Sequence, residues 1–555
     1  MFMDKPWLSE YPPGALTDID PSQYSSLVQM YEEACKTYQG RPAFSCHFFS
    51  LSYEKIYQLS SDFAAFLQHE LKLVPGDRFA IQLPNLLQYP VVLFGALQAG
   101  LTVVNLNPLY TTRELEEILE DAKPKAMVVL ENFASKLQDI YQQTSLQHII
   151  VTAVGDLYPF VKKQLVNFVV RHVKRAVPAW SIAPAVCLGD ALRQGESYTL
   201  LPVRLDAKCL AFLQYTGGTT GHPKGVMLSH RNIIANLLQA KAWIGQDLRE
   251  GQEVMITALP LYHIFALLAN LFLFVMLGGL NVLIPNPRDL KDFLNVLAKT
   301  PFTGITGVNT LYDALLHQKS FHELDFSHLR VAIAGGMSLQ QKVAEQWQQV
   351  TGKPIVEGYG LSETSPLVTL NPLQQTGFTG SIGLPVASTE VKICSEQGET
   401  LGVRDIGEIC VRGPQVMQGY WQNEHATQLA LDDKGWFKTG DIAYCDERGY
   451  FYIVDRLKDI IVVSGFNVYP AEVENIIMEL APVHEVAAVG LNSEQSGEQI
   501  KVYIVLNEGD LLTEDEVKAH CTQQLTAYKQ PKIIEFIDEL PKTVVGKVLR
   551  RALRE

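Results

Sequence analysis

No CxxC pair occurs in this chain. Its eight cysteines, scattered over 555 residues, fall at no metal-ligand spacing, which excludes a disulfide framework or zinc site as the organising feature and fits a reducing compartment. Basic charge is scarce too: a formal net charge of −14 argues against a nucleic-acid binder, whose surface is ordinarily basic. An anionic small substrate is not excluded, because local lysines and helix N-termini override a global field. No apolar run is long enough for a bilayer. IFALLANLFLFVMLGGLNVLI (264–284) comes nearest, but Asn270 and Gly278–Gly279 break it, whereas a spanning helix needs about 20 apolar residues. A buried helix is expected there. The opening stretch, MFMDKPWLSEYPPG, has no basic-then-apolar leader pattern and has two early acidic residues, so a cytoplasmic location is expected. Internal repeats and low-complexity linkers are also missing.

What is present is an ordinary globular balance, 47% hydrophobic and 19% charged, with material for a large core. Strand-like runs alternate with helical patterns. RFAIQLP (78–84) precedes PVVLFGALQAG, a predicted helix ending at Gly100 as C-cap; LTVVNLN follows as a strand, and TTRELEEILEDA as a helix capped by Thr112. AMVVL and HIIVTAV read as further buried strands, and similar units recur at 254–284 and 302–335. Such alternation predicts an α/β fold of layered, mostly parallel sheets covered on both faces. The texture changes after residue 380, where glycine and β-branched residues suggest antiparallel strands. From residue 456 a tail alternates strands (KDIIVV, HEVAAVG, IKVYIVL) with helices (AEVENIIMEL, EDEVKAHCTQQL), which predicts a small α+β domain. The expected division is therefore 1–455, with a β-rich subdomain at about 380–455, and 456–555, joined by a tight hinge.

LQYTGGTTGHPKG (213–225) packs glycines and threonines ahead of a lysine. A Walker A loop needs a hydroxyl residue after its lysine; here Lys224 precedes Gly225, so that geometry is missing. A phosphate cradle still fits. Gly217, Gly218 and Gly221 let backbone N–H groups approach closely, Thr216, Thr219 and Thr220 offer hydroxyls, and Lys224 adds positive charge. A glycine-rich hairpin tip is the plainer alternative.

YTGGTTGHPKG resembles the signature of the adenylate-forming superfamily, which includes acyl-CoA ligases, peptide-synthetase adenylation domains and luciferases. LPLYHIFAL (259–267), EGYGLSET (357–364), GWFKTGDIAYCDERGYFYIVDRLKD (435–459) and LPKTVVGKVLR (540–550) agree in the same order. WLSEYPPGALTDIDPSQYSSL, NLLQYP and NPLYTTRELE resemble bacterial long-chain fatty-acid–CoA ligases in particular. The resemblance implies two half-reactions. A carboxylate attacks the α-phosphate of ATP, giving acyl-AMP and pyrophosphate; the thiol of coenzyme A then displaces AMP. It implies fatty acid, ATP and coenzyme A as partners with Mg2+ as cofactor, no nucleic acid, and leaves monomer and oligomer both open.

Carried over residue by residue, the resemblance assigns the threonine–glycine loop to pyrophosphate and Glu363 to magnesium, with Ser362 where the family commonly has threonine and Thr364 as a second hydroxyl. Asp441 resembles the ribose ligand and Arg456 a further ribose or phosphate contact. Gly335, Gly336, Gly358, Tyr359 and Gly360 resemble the segments that sandwich adenine. Lys547 resembles the lysine that neutralises the α-phosphate and carboxylate during adenylation. Rotation of a mobile tail about Asp455 and Arg456 would then bring SGFNVYP (464–470) to the site, where Gly465 lets pantetheine pass. Plainer readings stand beside these: Glu363 as a charge at a helix N-terminus, Asp441 as a turn cap, His263 as a satisfied core histidine rather than a ring near the acyl carboxylate. Leu267 stands where some long-chain members carry a gate tryptophan, and Ile264 to Met276 form the expected wall of the acyl site.

Two further points stay open on sequence. The acceptor thiol could belong to a carrier protein, and an oxygenase or a silent acyl-nucleotide sensor would share much of the pattern. VKKQLVNFVVRHVKRAVPAW (161–180) places Lys163, Arg171, Lys174 and Arg175 on one helical face and Val161, Leu165, Val169, Val173 and Val177 on the other. Its basic face suits the anionic inner surface of the membrane; an ordinary surface helix fits the same pattern.

Overall fold

The computed structural model describes residues 5–216, 223–245, 247–463, 466–493, 497–543 and 547–554. Among these residues the strands form four sheets, of eight, nine, four and five strands. In the eight-stranded sheet, Thr102–Asn105, Arg78–Gln82, Ala126–Leu130 and His148–Thr152 run parallel in that spatial order. The antiparallel hairpin Leu210–Thr216/Lys224–Ser229 continues it on the Thr102 side. The nine-stranded sheet has a parallel centre (Val356–Gly360, Val331–Ala334, Gly304–Gly307, Val254–Thr257, Leu280–Leu283) with antiparallel strands at its margins.

One apolar core joins both large sheets. The helix Gln88–Gln98 lies in it with every residue buried, as an apolar sequence without a polar face requires. It stops where Gly100 adopts φ +78°, a left-handed conformation that costs glycine nothing. The helix Thr112–Ala122 starts one residue earlier than the pattern suggests: Thr111, not Thr112, is the cap. Its hydroxyl accepts from the Glu114 N–H while the Glu114 carboxylate accepts from the Thr111 N–H.

The 264–284 stretch is buried, but only its first part is helical. An α-helical turn, a π-helical segment Leu267–Phe272 and a second α-helical turn run from Ile264 to Met276; Gly278 (φ +70°) turns the chain and Leu280–Leu283 is a strand. The run is apolar because both elements are covered on all sides, so periodicity could not separate them. No helix among the described residues is long and apolar enough to cross a membrane.

Glu390–Cys394, Gly407–Arg412, Phe437–Cys445 and Phe451–Arg456 make the expected antiparallel sheet. The tail has its own core beneath Val483–Ser493, Gly497–Leu506 and the helices Pro470–Met478 and Glu514–Gln524. Arg456 ends the last strand of the antiparallel sheet, and a single 3-10 turn, Leu457–Asp459, leads into the tail. Across this junction the Asp455 carboxylate accepts from the Ala471 N–H at 2.8 Å, at the start of the first tail helix.

Candidate active site

A cavity of about 630 Å3 opens between the large sheets, the antiparallel sheet and the tail. Its walls change character along its length. Ala240, Ile244, Met255, Leu273, Phe274 and Leu370 line one region, while Thr216, Lys224, Glu363, Arg456, Lys458 and Lys547 line the other. Five cationic side chains face it (Lys224, Lys438, Arg456, Lys458, Lys547) against two carboxylates (Glu363, Glu408), so the cavity is locally positive inside an acidic protein.

Thr216 and Lys224 sit opposite each other where the paired strands adjoin their connection, and both reach the cavity. Gly217, Gly218, Thr219, Thr220 and Gly221 lie outside the described residues, as does Gly465. The strands on either side of that 217–221 segment are antiparallel neighbours, and the ends that adjoin it face the cavity.

Gly335 and Gly336 follow the strand Val331–Ala334, and Gly358, Tyr359 and Gly360 end its parallel neighbour Val356–Gly360; all five line the cavity, at the C-terminal ends of strands where ligands usually sit on an open α/β sheet. Gly360 is obligatory on steric grounds: a Cβ there would lie 1.9 Å from the Pro366 carbonyl oxygen.

Glu363 occupies the short turn after this strand. The Tyr420 hydroxyl donates to its Oε1 at 2.9 Å, and Lys224 Nζ stands 5.1 Å from the centroid of the same tyrosine ring. Burial pushes the Glu363 carboxyl upward, against the opposing pull of that hydrogen bond. Thr364 does not join the site. It is fully buried and absent from the wall; its hydroxyl bonds the Leu361 and Pro366 carbonyls and accepts from the Leu361 N–H, so it holds the turn that presents Glu363.

Asp441 is set back from the cavity wall. The Tyr359 hydroxyl donates to its Oδ2 at 2.6 Å and Arg456 Nε lies 3.1 Å from its Oδ1. Both partners line the cavity. Tyr359 therefore has a polar task beside any stacking one.

His263 makes a local contact and also reaches the cavity. Its Nδ1 accepts from the Phe265 N–H at 3.4 Å, capping the first turn of the apolar helix, and the ring also lines the cavity. Burial, then the charge of Lys547, hold its pKa down to about 4, so the ring is neutral. Leu267, at the gate position, is buried and does not line the cavity.

Lys547 reaches the same cavity from the far end of the chain. Its N–H donates to the Thr543 hydroxyl at 3.1 Å and its carbonyl accepts from the Thr543 N–H at 2.7 Å, which ties it to Thr543. Burial, then Arg456, push its ammonium down to about 7, with Asp441 opposing. An anion brought beside this lysine would raise its pKa again. No group of three or more His, Cys, Asp or Glu residues among those described could enclose a metal.

Tyr420, Glu408, Lys438 and Lys458 were not picked out from the sequence. Tyr420 ends a two-residue strand that pairs with Lys224–Ser229, too short to show any periodicity.

Residues 31–421 match the family model for AMP-binding enzymes, and residues 472–547 match that for the C-terminal domain of the same enzymes. The chain belongs to the AMP-binding enzyme family. A long-chain-fatty-acid–CoA ligase of Escherichia coli O157:H7 is 51% identical over 553 residues, covering 100% of this chain and 98% of that one. Its counterpart in Bacillus subtilis strain 168 is 37% identical over 557 residues with the same coverage. The crystal structure of ATP-bound MatB from Rhodopseudomonas palustris superposes with a TM-score of 0.82 at 27% identity, over 95% of this chain and 98% of that one. Lys547 is the last residue of the C-terminal match, and a separate apolar cluster underlies that part of the chain.

Proposed function

We propose that this AMP-binding enzyme is a cytoplasmic long-chain fatty-acid–CoA ligase that forms acyl-AMP from ATP and then a thioester with coenzyme A. The observation that carries the reading is the single cavity in which a cation-lined region runs on into an apolar one. The apolar region suits an alkyl chain, each buried methylene of which contributes about 0.8 kcal/mol. Full-length relatives named for this activity support the substrate class.

In the first half-reaction one anion must approach another, so the chemistry needs preorganised positive charge at the α-phosphate and the departing pyrophosphate. Lys547 is placed to supply it between phosphate and carboxylate. Thr216 and Lys224 hold the pyrophosphate end. Asp441 accepts from the ribose hydroxyls as Tyr359 and Arg456 yield their contacts, and the glycine strand-ends leave a slot for adenine. Neutral His263 presents an N–H edge to the acyl carboxylate without adding charge.

Magnesium fits the residues present. It keeps several waters and takes one or two carboxylates plus phosphate oxygens, and Glu363 is a buried carboxylate facing the cationic region, oriented by Tyr420. When bound, it would neutralise charge on the phosphates. Transfer of the acyl group needs the tail to withdraw Lys547 and bring residues 464–470 to the acyl carbon.

Incubation with ATP, Mg2+ and palmitate, with coenzyme A or a carrier-protein thiol as acceptor, tests the reading. Palmitoyl-CoA, AMP and pyrophosphate are expected in equal amounts, and only with fatty acid present. Thioester formed solely on the carrier protein would replace coenzyme A as the acceptor; AMP release independent of fatty acid would refute the ligase.

A further inference from the structure

The helix Phe160–Phe168 and the π-helical turn Val169–Val173 that follows it are amphipathic with their faces reversed. The polar stripe, spaced by four, points into the protein. Lys163 pairs with Asp156 at 3.0 Å, the Asn167 side-chain oxygen accepts from the Gly155 N–H at 2.7 Å, and Arg171 grips the buried Glu131 with its nearest N–O distance 2.7 Å. Lys162 reaches the His47 carbonyl at 2.7 Å and lies 4.4 Å from the Tyr158 ring centroid. The apolar side faces water: Phe160 is 75% exposed, Val161 78%, Leu165 62%, Phe168 57% and Val173 65%. The cations that sequence assigned to an outer face are thus split. Lys163 and Arg171 fasten the helix down, while Lys174 and Arg175 stay exposed at its end with no ion pair among the described residues.

A run of large apolar side chains held outward by polar anchors paired beneath them is not how a solvated surface helix is built. The hairpin tip beside it repeats the theme: His47 is tied to the helix through Lys162, and Phe48, 54% exposed, has Lys299 Nζ 5.0 Å from its ring centroid. Exposed apolar residues flanked by unpaired cations, on a protein of net charge −14, complement a surface that is apolar within and anionic at its rim. We infer that residues 160–175 are a membrane-docking element, which inserts Phe160, Val161, Leu165, Phe168 and Val173 among the acyl chains of an anionic bilayer while Lys174 and Arg175 meet its headgroups. A long-chain acid dissolves in the same phase, so docking would place the enzyme at its substrate's source.

Co-sedimentation of the full-length protein with vesicles tests this without depending on turnover. The probes are vesicles of phosphatidylcholine alone and of equal parts phosphatidylcholine and phosphatidylglycerol. The parent protein should bind the mixed vesicles more strongly than the neutral ones. Val161→Ser/Leu165→Ser/Phe168→Ser should lower the partition coefficient about tenfold or more and leave turnover of a short, water-dissolved fatty acid unchanged. Lys174→Glu/Arg175→Glu should weaken binding to mixed vesicles and leave binding to neutral ones as it was. Vesicle binding by the triple variant equal to that of the parent overturns the inference. So does a parent protein that ignores both vesicles; if it also forms a dimer that the triple variant breaks, the face belongs to a second copy of the chain.

Discussion

Two side chains carry most of the electrostatic argument. Lys547 has a pKa of about 7 in the free protein because burial and Arg456 outweigh Asp441. Since kcat/KM reports groups of the free enzyme, adenylation measured by pyrophosphate release should hold level on this limb below pH 7 and fall as pH rises through it, because the ammonium is lost. Lys547→Arg, which keeps its charge throughout, should lose the limb. Lys547→Ala should abolish acyl-AMP formation while sparing thioester formation from supplied acyl-AMP; equal loss of both would remove the lysine from its assigned role. Tyr420 acts through Glu363. Removing one donor from a buried carboxylate costs about 1–3 kcal/mol, so Tyr420→Phe should raise the Mg2+ concentration needed for half-maximal adenylation about tenfold with little change in the fatty-acid KM. An unchanged Mg2+ requirement would leave Tyr420 a packing residue.

At the scale of elements, the acyl region is set by one broken helix. Ala269 lies in the π-helical segment and faces the cavity. Ala269→Leu adds three carbons to the wall, so palmitate should lose roughly tenfold or more in kcat/KM relative to an acid several carbons shorter. Parallel fall of both acids would mean that Ala269 lies where every substrate passes. How far such elements can be read from sequence depends on whether one residue's neighbours decide its state. Thr111 and Glu114 cap a helix by themselves, so that start was legible to within one residue. Leu280–Leu283 was hidden at the end of a mostly apolar stretch, because burial on every side erases the period. The docking helix was legible as two faces and illegible as to which faces water. Asp156 and Glu131, which draw its cations inward, come from separate strand ends. Glu363, Lys547 and the glycine strand-ends were readable because each sits in a local motif. Tyr420 and the withdrawal of Asp441 behind Tyr359 and Arg456 were not, because both arise from contacts between distant segments.

For the whole molecule, the proposed function makes the arrangement seen here that of the adenylation half-reaction. Lys547 occupies the cavity wall, while among the described residues of 464–470 none lines it. On the proposed function the tail turns as a body so that the acceptor sulfur reaches the acyl carbon, and its separate core permits that. The joint must then lie near Arg456–Asp459, where a single turn links the antiparallel sheet to the tail. Asp455 is the latch on this side of it: its carboxylate receives the Ala471 N–H at 2.8 Å and lies 4.0 Å from Arg550. Proline at 455 fixes φ and removes an N–H donor, restricting the chain just before the turn. Asp455→Pro should therefore change the ratio of the two half-reaction rates by about tenfold or more, read separately as pyrophosphate release and as thioester formed from supplied acyl-AMP. Folding can be checked by the melting profile of the same preparation. If a folded variant loses both rates in proportion, the tail does not need to turn between the steps, and coenzyme A must enter past Lys547 as it stands.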